Sequence, residues 1–386
     1  MVLIRTLIFL FIILILPDWY IYQRFVCKSD KRWIKICYWI PTILLLLGIV
    51  TIAITHDFYP ISMQRLSYFI LIFFILVFPK LIFTLISLIL TPIRKIWKGN
   101  KTGEYMALAV TIFAFGELIY GATEGKQHFT VRNVTIPFKD LPQAFDGYRI
   151  LQISDIHSGS WTGNTKAIQK AMDICNAQHA DLALFTGDMV NNLASELDEF
   201  IPILSQLRAK DGVYSVLGNH DYSTYIHWKD KRMQEKQVQD LIDKENNMGW
   251  HMLINDHVIL HRGQDSIAIA GVENSGDPPF PDRGDLPKTL KGCDGVFTVL
   301  MSHDPTHWDR NILPETKVQL TLSGHTHEMQ FSILGFSPIM FKYKEHNGLY
   351  WNDNRALFVN IGLGYVMFPF RIGAWPEITV ITLKKA

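Results

Sequence analysis

Apolar positions along this chain follow two different rhythms. Before about residue 122 they run in long blocks, and after about Thr130 they come in short bursts separated by polar stretches. Four blocks read as membrane-spanning helices: Val2 to Leu16 with the aromatic pair Trp19 and Tyr20 behind it, Ile34 to Ile54, Leu66 to Leu90, and Tyr105 to Tyr120. The hydrocarbon core of a bilayer takes ~20 apolar helical residues to cross, which the second and third blocks supply. The first is shorter, and the fourth carries Glu117. A cleaved signal peptide is a poor reading of the first block, because LPDWYIYQRF offers no small-residue cleavage site and further spans follow.

The short bursts have the texture of buried strands. YRILQIS, DLALFTG, GVYSVLG, SIAIAGV, VFTVLMS and VQLTLSG are apolar, β-branched and bounded by Gly, Ser or Asp. Between them, Asn164 to His179, Ala194 to Arg208 and Lys229 to Asn247 read as helices with apolar faces. Strands separated by helices predict an α/β domain whose helices cover sheet faces. The expected organisation is a transmembrane helical module over residues 1–122, a linker and first strand over 123–147, and the α/β domain over 148–386.

Charge orients the first module. Arg24, Lys28, Lys31, Arg32 and Lys35 lie between the first and second blocks, and Arg94, Lys95, Lys98 and Lys101 between the third and fourth, whereas THDFYPISMQR between the second and third holds only Arg65. Basic connections stay cytoplasmic, so four spans place everything after Tyr120 outside the cytoplasm; losing one span would reverse this. The net charge of +1 gives no case for a nucleic-acid partner. Cys27, Cys37, Cys175 and Cys293 form no CxxC pair and read as buried thiols.

Chemistry gathers where the strand-like bursts end. LQISDIHSG closes on Asp155 and His157, LFTGDMV on Asp188, VLGNHDY on Asn219 and His220, VLMSHDP on His303, and LSGHTHE on His325 and His327. Taken singly, each has an ordinary explanation: a turn aspartate, a helix cap, a β-turn, an idle surface histidine. Together they are harder to dismiss, because loops beyond the carboxyl ends of strands converge on one crevice in α/β sheets.

The ordered series Asp-x-His, Gly-Asp, Gly-Asn-His-Asp, an isolated His and Gly-His-x-His resembles the calcineurin-like metallophosphoesterase superfamily from about Arg149 onward. The tail VNIGLGYVMFPFRIGAWPEITVITL resembles the membrane-attached bacterial branch, in which a Gly-rich turn, an Arg and a Pro-Glu precede the last strand. The resemblance implies a two-sheet β-sandwich flanked by α-helices, here behind a bundle of about four transmembrane helices. It also implies two divalent metal ions, one held by Asp155, His157, Asp188 and His327, the other by Asp188, Asn219, His303 and His325, with Asp188 bridging. Mixed nitrogen and oxygen donors without thiolate suit Mn, Fe, Zn or Co. Such a pair acidifies a water for attack on phosphorus, and the resemblance gives His220 the role of stabilising or protonating the leaving oxygen, with Asp221 orienting it or capping the loop.

The function expected is a membrane-bound phosphohydrolase acting outside the cytoplasm, on a diester or lipid-linked phosphate rather than a protein. Its expected partners are the lipid bilayer and a phosphoester. Two alternatives are a cytoplasm-facing pyrophosphatase of a nucleotide-linked lipid precursor and a non-catalytic membrane sensor. The helices serve either as a plain anchor or, with the join near Ile119 to Phe129, to admit a lipid; Trp161, Tyr222, Trp228, Phe280 and Trp308 could line an apolar entrance or simply pack.

Overall fold

The computed structural model describes residues 2–54, 60–96 and 102–386. Parts of the connections used above to orient the helices, 55–59 and 97–101 with Lys98 and Lys101, lie outside the described residues. The chain forms two compact units: Met1–Glu124 with Met367–Phe370, and Gly125–Val366 with Arg371–Ala386.

The first unit holds helices α1 (Val2–Ile21), α2 (Arg32–Ile54), α3 (Pro60–Ile96) and α4 (Thr102–Thr123). Among the described residues three stretches, Arg32–Ile52, Arg65–Thr91 and Thr102–Gln127, are long and apolar enough to cross a membrane. Ile43, Leu44, Leu47, Ile72, Leu88, Ile112 and Phe113 are exposed, as side chains that meet lipid tails would be. Two ion pairs join helices of this unit among the described residues. Asp18 of α1 is fully buried, with Lys80 Nζ of α3 2.6 Å away, and it accepts hydrogen bonds from Tyr38 and Thr42 of α2. Arg24 reaches Glu104 of α4 at 2.7 Å. Acids and bases within apolar helices persist through such pairing.

The second unit is built from twelve strands: β1 (Thr130–Phe138), β2 (Arg149–Ile153), β3 (Leu182–Phe185), β4 (Val213–Ser215), β5 (Trp250–Met252), β6 (Asp256–Arg262), β7 (Asp265–Gly271), β8 (Phe297–Met301), β9 (Leu320–Ser323), β10 (Gly348–Asn352), β11 (Arg355–Val359) and β12 (Glu377–Lys385). They form two sheets of six, ordered β1-β12-β2-β3-β4-β5 and β10-β11-β9-β8-β7-β6. Strands β2 to β5 run parallel, as do β7, β8, β9 and β11. The expected six bursts are β2, β3, β4, β7, β8 and β9.

Alternation along each strand divides the core. Ile150, Leu182 and Leu184 of one sheet meet Ile267, Val299, Met301, Leu320 and Phe358 of the other in a shared apolar layer. Leu151, Ile153, Ala183 and Phe185 point the opposite way, onto Ile168 and Met172 of helix α5 (Thr165–Asn176) and onto Leu241. Strands covered on both faces read as continuous apolar runs, which is why they stood out in the sequence. Helix Lys231–Asn247 matches its expected span closely. Ala194 to Arg208, expected as one helix, is instead a 3₁₀ turn at Ala194–Leu197 and one α turn, α6 (Ile201–Leu204). Pro202 has no N–H for an unbroken helix to use, so it sits in the first turn of α6.

Candidate metal centre

The parallel register of the strands sets where their loops begin. Strands β2, β3 and β4 end side by side in one sheet, and β8 and β9 in the other. The loops are then tied backbone to backbone: Asp155 N donates to Gly187 O at 2.8 Å, His157 N to Asp188 O at 3.1 Å, and Gly324 N to His303 O at 2.9 Å. Asp155, His157, Asp188, His325 and His327 all have positive φ, between 48° and 74°. Non-glycine residues enter this region at a cost and mostly where function demands it. Here the tight turns aim successive side chains at one point. Gly187 has φ 95°, and a Cβ there would come within 2.8 Å of His303 Nδ1, so only glycine fits beneath that imidazole.

The side chains singled out in the sequence converge in two groups. In the first, His157 Nε2 and His327 Nε2 are 3.0 Å apart, Asp155 Oδ1 is 3.2 Å from His327 Nε2, and Asp188 Oδ2 is 3.7 Å from His157 Nε2. In the second, Asp188 Oδ2 is 3.2 Å from His303 Nε2, while Asn219 Oδ1 lies 3.1 Å from His303 Nε2 and 2.7 Å from His325 Nδ1. Asp188 belongs to both groups. Asp155, His157, Asp188, Asn219 and His303 are essentially inaccessible to solvent. A cavity of about 880 Å³ lined by Asp140, Leu290, Lys291, Thr298 and Lys317 holds none of these residues.

The surroundings hold donor atoms ready. Thr186 O lies 2.7 Å from His303 Nδ1 and fixes the proton there, leaving Nε2 free to face Asp188 and Asn219. Tyr225 Oη accepts from Asn219 Nδ2 at 2.7 Å, so the amide turns its oxygen inward. Arg371, wholly buried, places Nη2 3.0 Å from His327 Nδ1 and donates to Ile361 O, fixing that ring.

Electrostatics point the same way. Burial opposes charge on Asp188, but His303 and His220 beside it hold its carboxyl well below the ordinary range. Burial likewise opposes charge on Asp155, and His327 overcomes it. Burial, helped by His220, holds His157 well below the usual imidazole value, so the ring is neutral and offers a lone pair. His303 moves oppositely: against its burial, the charge of Asp188 pushes it up to about 10. A proton there does the work that a bound cation would do. In the first group two imidazole nitrogens face each other at 3.0 Å beside buried carboxylates, and in the second the imidazoles of His303 and His325 meet Asn219 Oδ1 with Asp188 beside them; each donor set fits a divalent cation.

His220 adjoins the cluster. Its Nδ1 donates to Asn191 O at 2.7 Å, and its ring sits edge-on to His157 with centroids 4.8 Å apart. Asp221 does not orient it. Both carboxylate oxygens of Asp221 instead accept backbone N–H groups of Asp188, Met189, Val190 and Gly218, which makes it a cap for two loops. Of the aromatics weighed for an entrance, Trp161, Tyr222 and Trp308 are core residues, whereas Phe280 packs edge-on against His325 at 4.7 Å. Trp228 donates to Ser223 O. Tyr225 and Tyr343, whose hydroxyl is 2.8 Å from His325 Nε2, went unmarked in the sequence; neither stands in a motif, and only folding brings them to the site.

Comparisons with known proteins point to one family. Residues 148–329 match the family model "Calcineurin-like phosphoesterase", and residues 4–126 match "Probable Calcineurin-like phosphoesterase, transmembrane domain". A zebrafish (Danio rerio) "Transmembrane protein with metallophosphoesterase domain" is 30% identical over 75% of this chain and 64% of its own length. The chain thus spans somewhat under two thirds of that relative. The Bacillus subtilis "Uncharacterized metallophosphoesterase YkuE" is 30% identical over 65% of this chain and 84% of its own. A Campylobacter jejuni "Uncharacterized metallophosphoesterase Cj0846" is 27% identical over 98% of both chains. The converging donor set and these matches together identify the chain as a membrane protein of the calcineurin-like metallophosphoesterase family, with that family's transmembrane domain ahead of its phosphoesterase domain.

Proposed function

We propose that this protein is a two-metal phosphodiesterase that works outside the cytoplasm on a lipid-linked or small-molecule phosphoester, in a bacterial cell membrane. The observation that carries the reading is the shared position of Asp188, one oxygen of which lies near both His157 and His303. In this reading Asp155, His157 and His327 complete one site, and Asn219, His303 and His325 the other. A pair of divalent cations, drawn from Mn, Fe, Zn or Co, would supply an acidified water and neutralise phosphoryl charge.

The chain's own residues supply the rest. Asp188 sits between the two groups and sets their spacing, and Asp221 braces the loop that carries it through the amides of Asp188, Met189 and Val190. Asn191 O holds His220 by Nδ1, which leaves Nε2 to meet the leaving oxygen and pass it a proton.

Hydrolysis of bis-p-nitrophenyl phosphate with added Mn tests this. The expected result is metal-dependent turnover that Asp188→Asn lowers by about 10³-fold, as for removal of a group acting on developing charge. Equal turnover by the two proteins would remove the mechanism. A topology reporter fused after Ala386 is expected to read out outside the cytoplasm. A cytoplasmic signal would favour hydrolysis of a nucleotide-linked lipid precursor instead.

A further inference from the structure

Between His327 and Tyr343 the chain forms a tongue that is rooted in its domain by the buried Gln330, Ser337 and Ile339 and exposes a run of large apolar side chains. Ile333 pairs with Phe336 in a tight hairpin whose corner is Leu334 (φ 52°) and Gly335 (φ 81°). Leu334 is completely exposed, Phe341 is 81% exposed, and Met329, Ile333, Phe336 and Met340 are each between 44% and 53% exposed. The tongue has a defined shape: Ser332 N donates to Ile372 O at 2.8 Å, Ser337 Oγ donates to Glu328 O at 2.8 Å, and the Phe336 and Phe341 rings pack with centroids 6.0 Å apart. An ordered hairpin that presents large apolar side chains outward marks a contact surface, because water alone disfavours it.

Both feet of the tongue stand on the metal centre. One is His327 itself. The other is Lys342 and Tyr343: Tyr343 Oη is 2.8 Å from His325 Nε2, and Lys342 Nζ lies 5.1 Å from the centroid of Phe280, the ring packed on His325. Among the described residues no carboxylate is within ion-pair distance of Lys342, whereas its neighbour Lys344 is paired with Asp309 and Glu345.

We infer that the Met329–Phe341 tongue docks into the surface of an anionic phospholipid bilayer and delivers a lipid headgroup phosphoester to the metal centre, past Lys342 and Phe280. Three observations choose this occupant over a protein. The chain has spanning helices, so a bilayer is always within its reach. The apolar side chains reach outward from a single unpaired cation at the base, which is the order of apolar and charged layers at a lipid surface. That cation also complements a lipid phosphate and stands beside a ring that touches a candidate ligand. The inference rests on the phosphohydrolase reading above for its substrate, and not for its docking.

The test uses the full chain in nanodiscs of phosphatidylglycerol and phosphatidylcholine. Cys175 and Cys293 are buried as expected, but Cys27 is half-buried and Cys37 exposed, so these two are removed as Cys27→Ser and Cys37→Ser, and Leu334→Cys carries an environment-sensitive dye. Nitroxide-labelled lipid is expected to quench the dye by about twofold or more, and Lys342→Gln to weaken that quenching in phosphatidylglycerol discs. A dye that nitroxide lipid leaves unquenched, whether in water or under a protein surface, overturns the docking. A paired variant, Leu334→Ser with Phe341→Ser, is then assayed on bis-p-nitrophenyl phosphate and on a nitrophenyl phosphodiester bearing a long acyl chain. The expected result is an unchanged rate on the soluble ester and a loss of about tenfold on the acylated one. An unchanged ratio of the two rates overturns delivery. If the unsubstituted protein cleaves neither ester, the phosphohydrolase reading fails while quenching still reports on docking.

Discussion

His220 is attached to the fold at Nδ1, and its Nε2 is the nitrogen left for chemistry. Burial lowers its pKa, with Asp188 pulling the other way, so the proton it donates becomes scarcer as pH rises. His220→Ala is therefore expected to keep its metal and to lose about 10²- to 10⁴-fold in turnover of alkyl esters, with a much smaller loss for p-nitrophenyl esters, whose leaving group needs no proton. Metal content falling in parallel with rate would assign His220 to the ligand set instead. His303 gives the pH dependence of loading. Its folded value of about 10 is above the ordinary imidazole value, so in the metal-free protein the pairing with Asp188 stabilises fully below pH ~6.5 and is lost as pH climbs through 10. A cation must displace that proton. Metal affinity, measured by competition with a chelator, is expected to weaken by about tenfold per unit of acidification between pH 8 and 6, and a flat profile would contradict the assignment.

At the scale of elements, the site is made by loops that strands hold in register and Asp221 holds in shape. Asp221→Ala leaves four buried amides without an acceptor and is expected to cost about 3–5 kcal/mol in denaturant melts. A loss under about 1 kcal/mol would mean that the loops hold their shape without it. The six buried strands and the residues at their ends were legible in the sequence because burial on both faces makes a continuous apolar run. Strands β5, β6 and β10 were not, since they are short or half-exposed and share the texture of loops. The role of Asp221 was open because a carboxylate beside a histidine looks the same whether it holds the ring or the backbone. Tyr225, Tyr343 and the Asp18–Lys80 pair were invisible for one reason: their partners are chosen by tertiary folding and leave no spacing to read.

For the whole molecule, apolar helices hold one unit in a membrane while the other gathers buried acids, an amide and imidazoles drawn from strand ends of two sheets. That cost in desolvation and backbone strain is explained if the cluster has counter-charges to hold. The most direct test is elemental analysis of the purified full chain in detergent, at neutral pH, beside Asp188→Asn. The account predicts about two transition-metal ions per unsubstituted chain and a clear deficit in the variant, as expected when a shared ligand is lost. Full phosphodiesterase activity in a preparation free of transition metal, or equal loading of the two proteins, would contradict it.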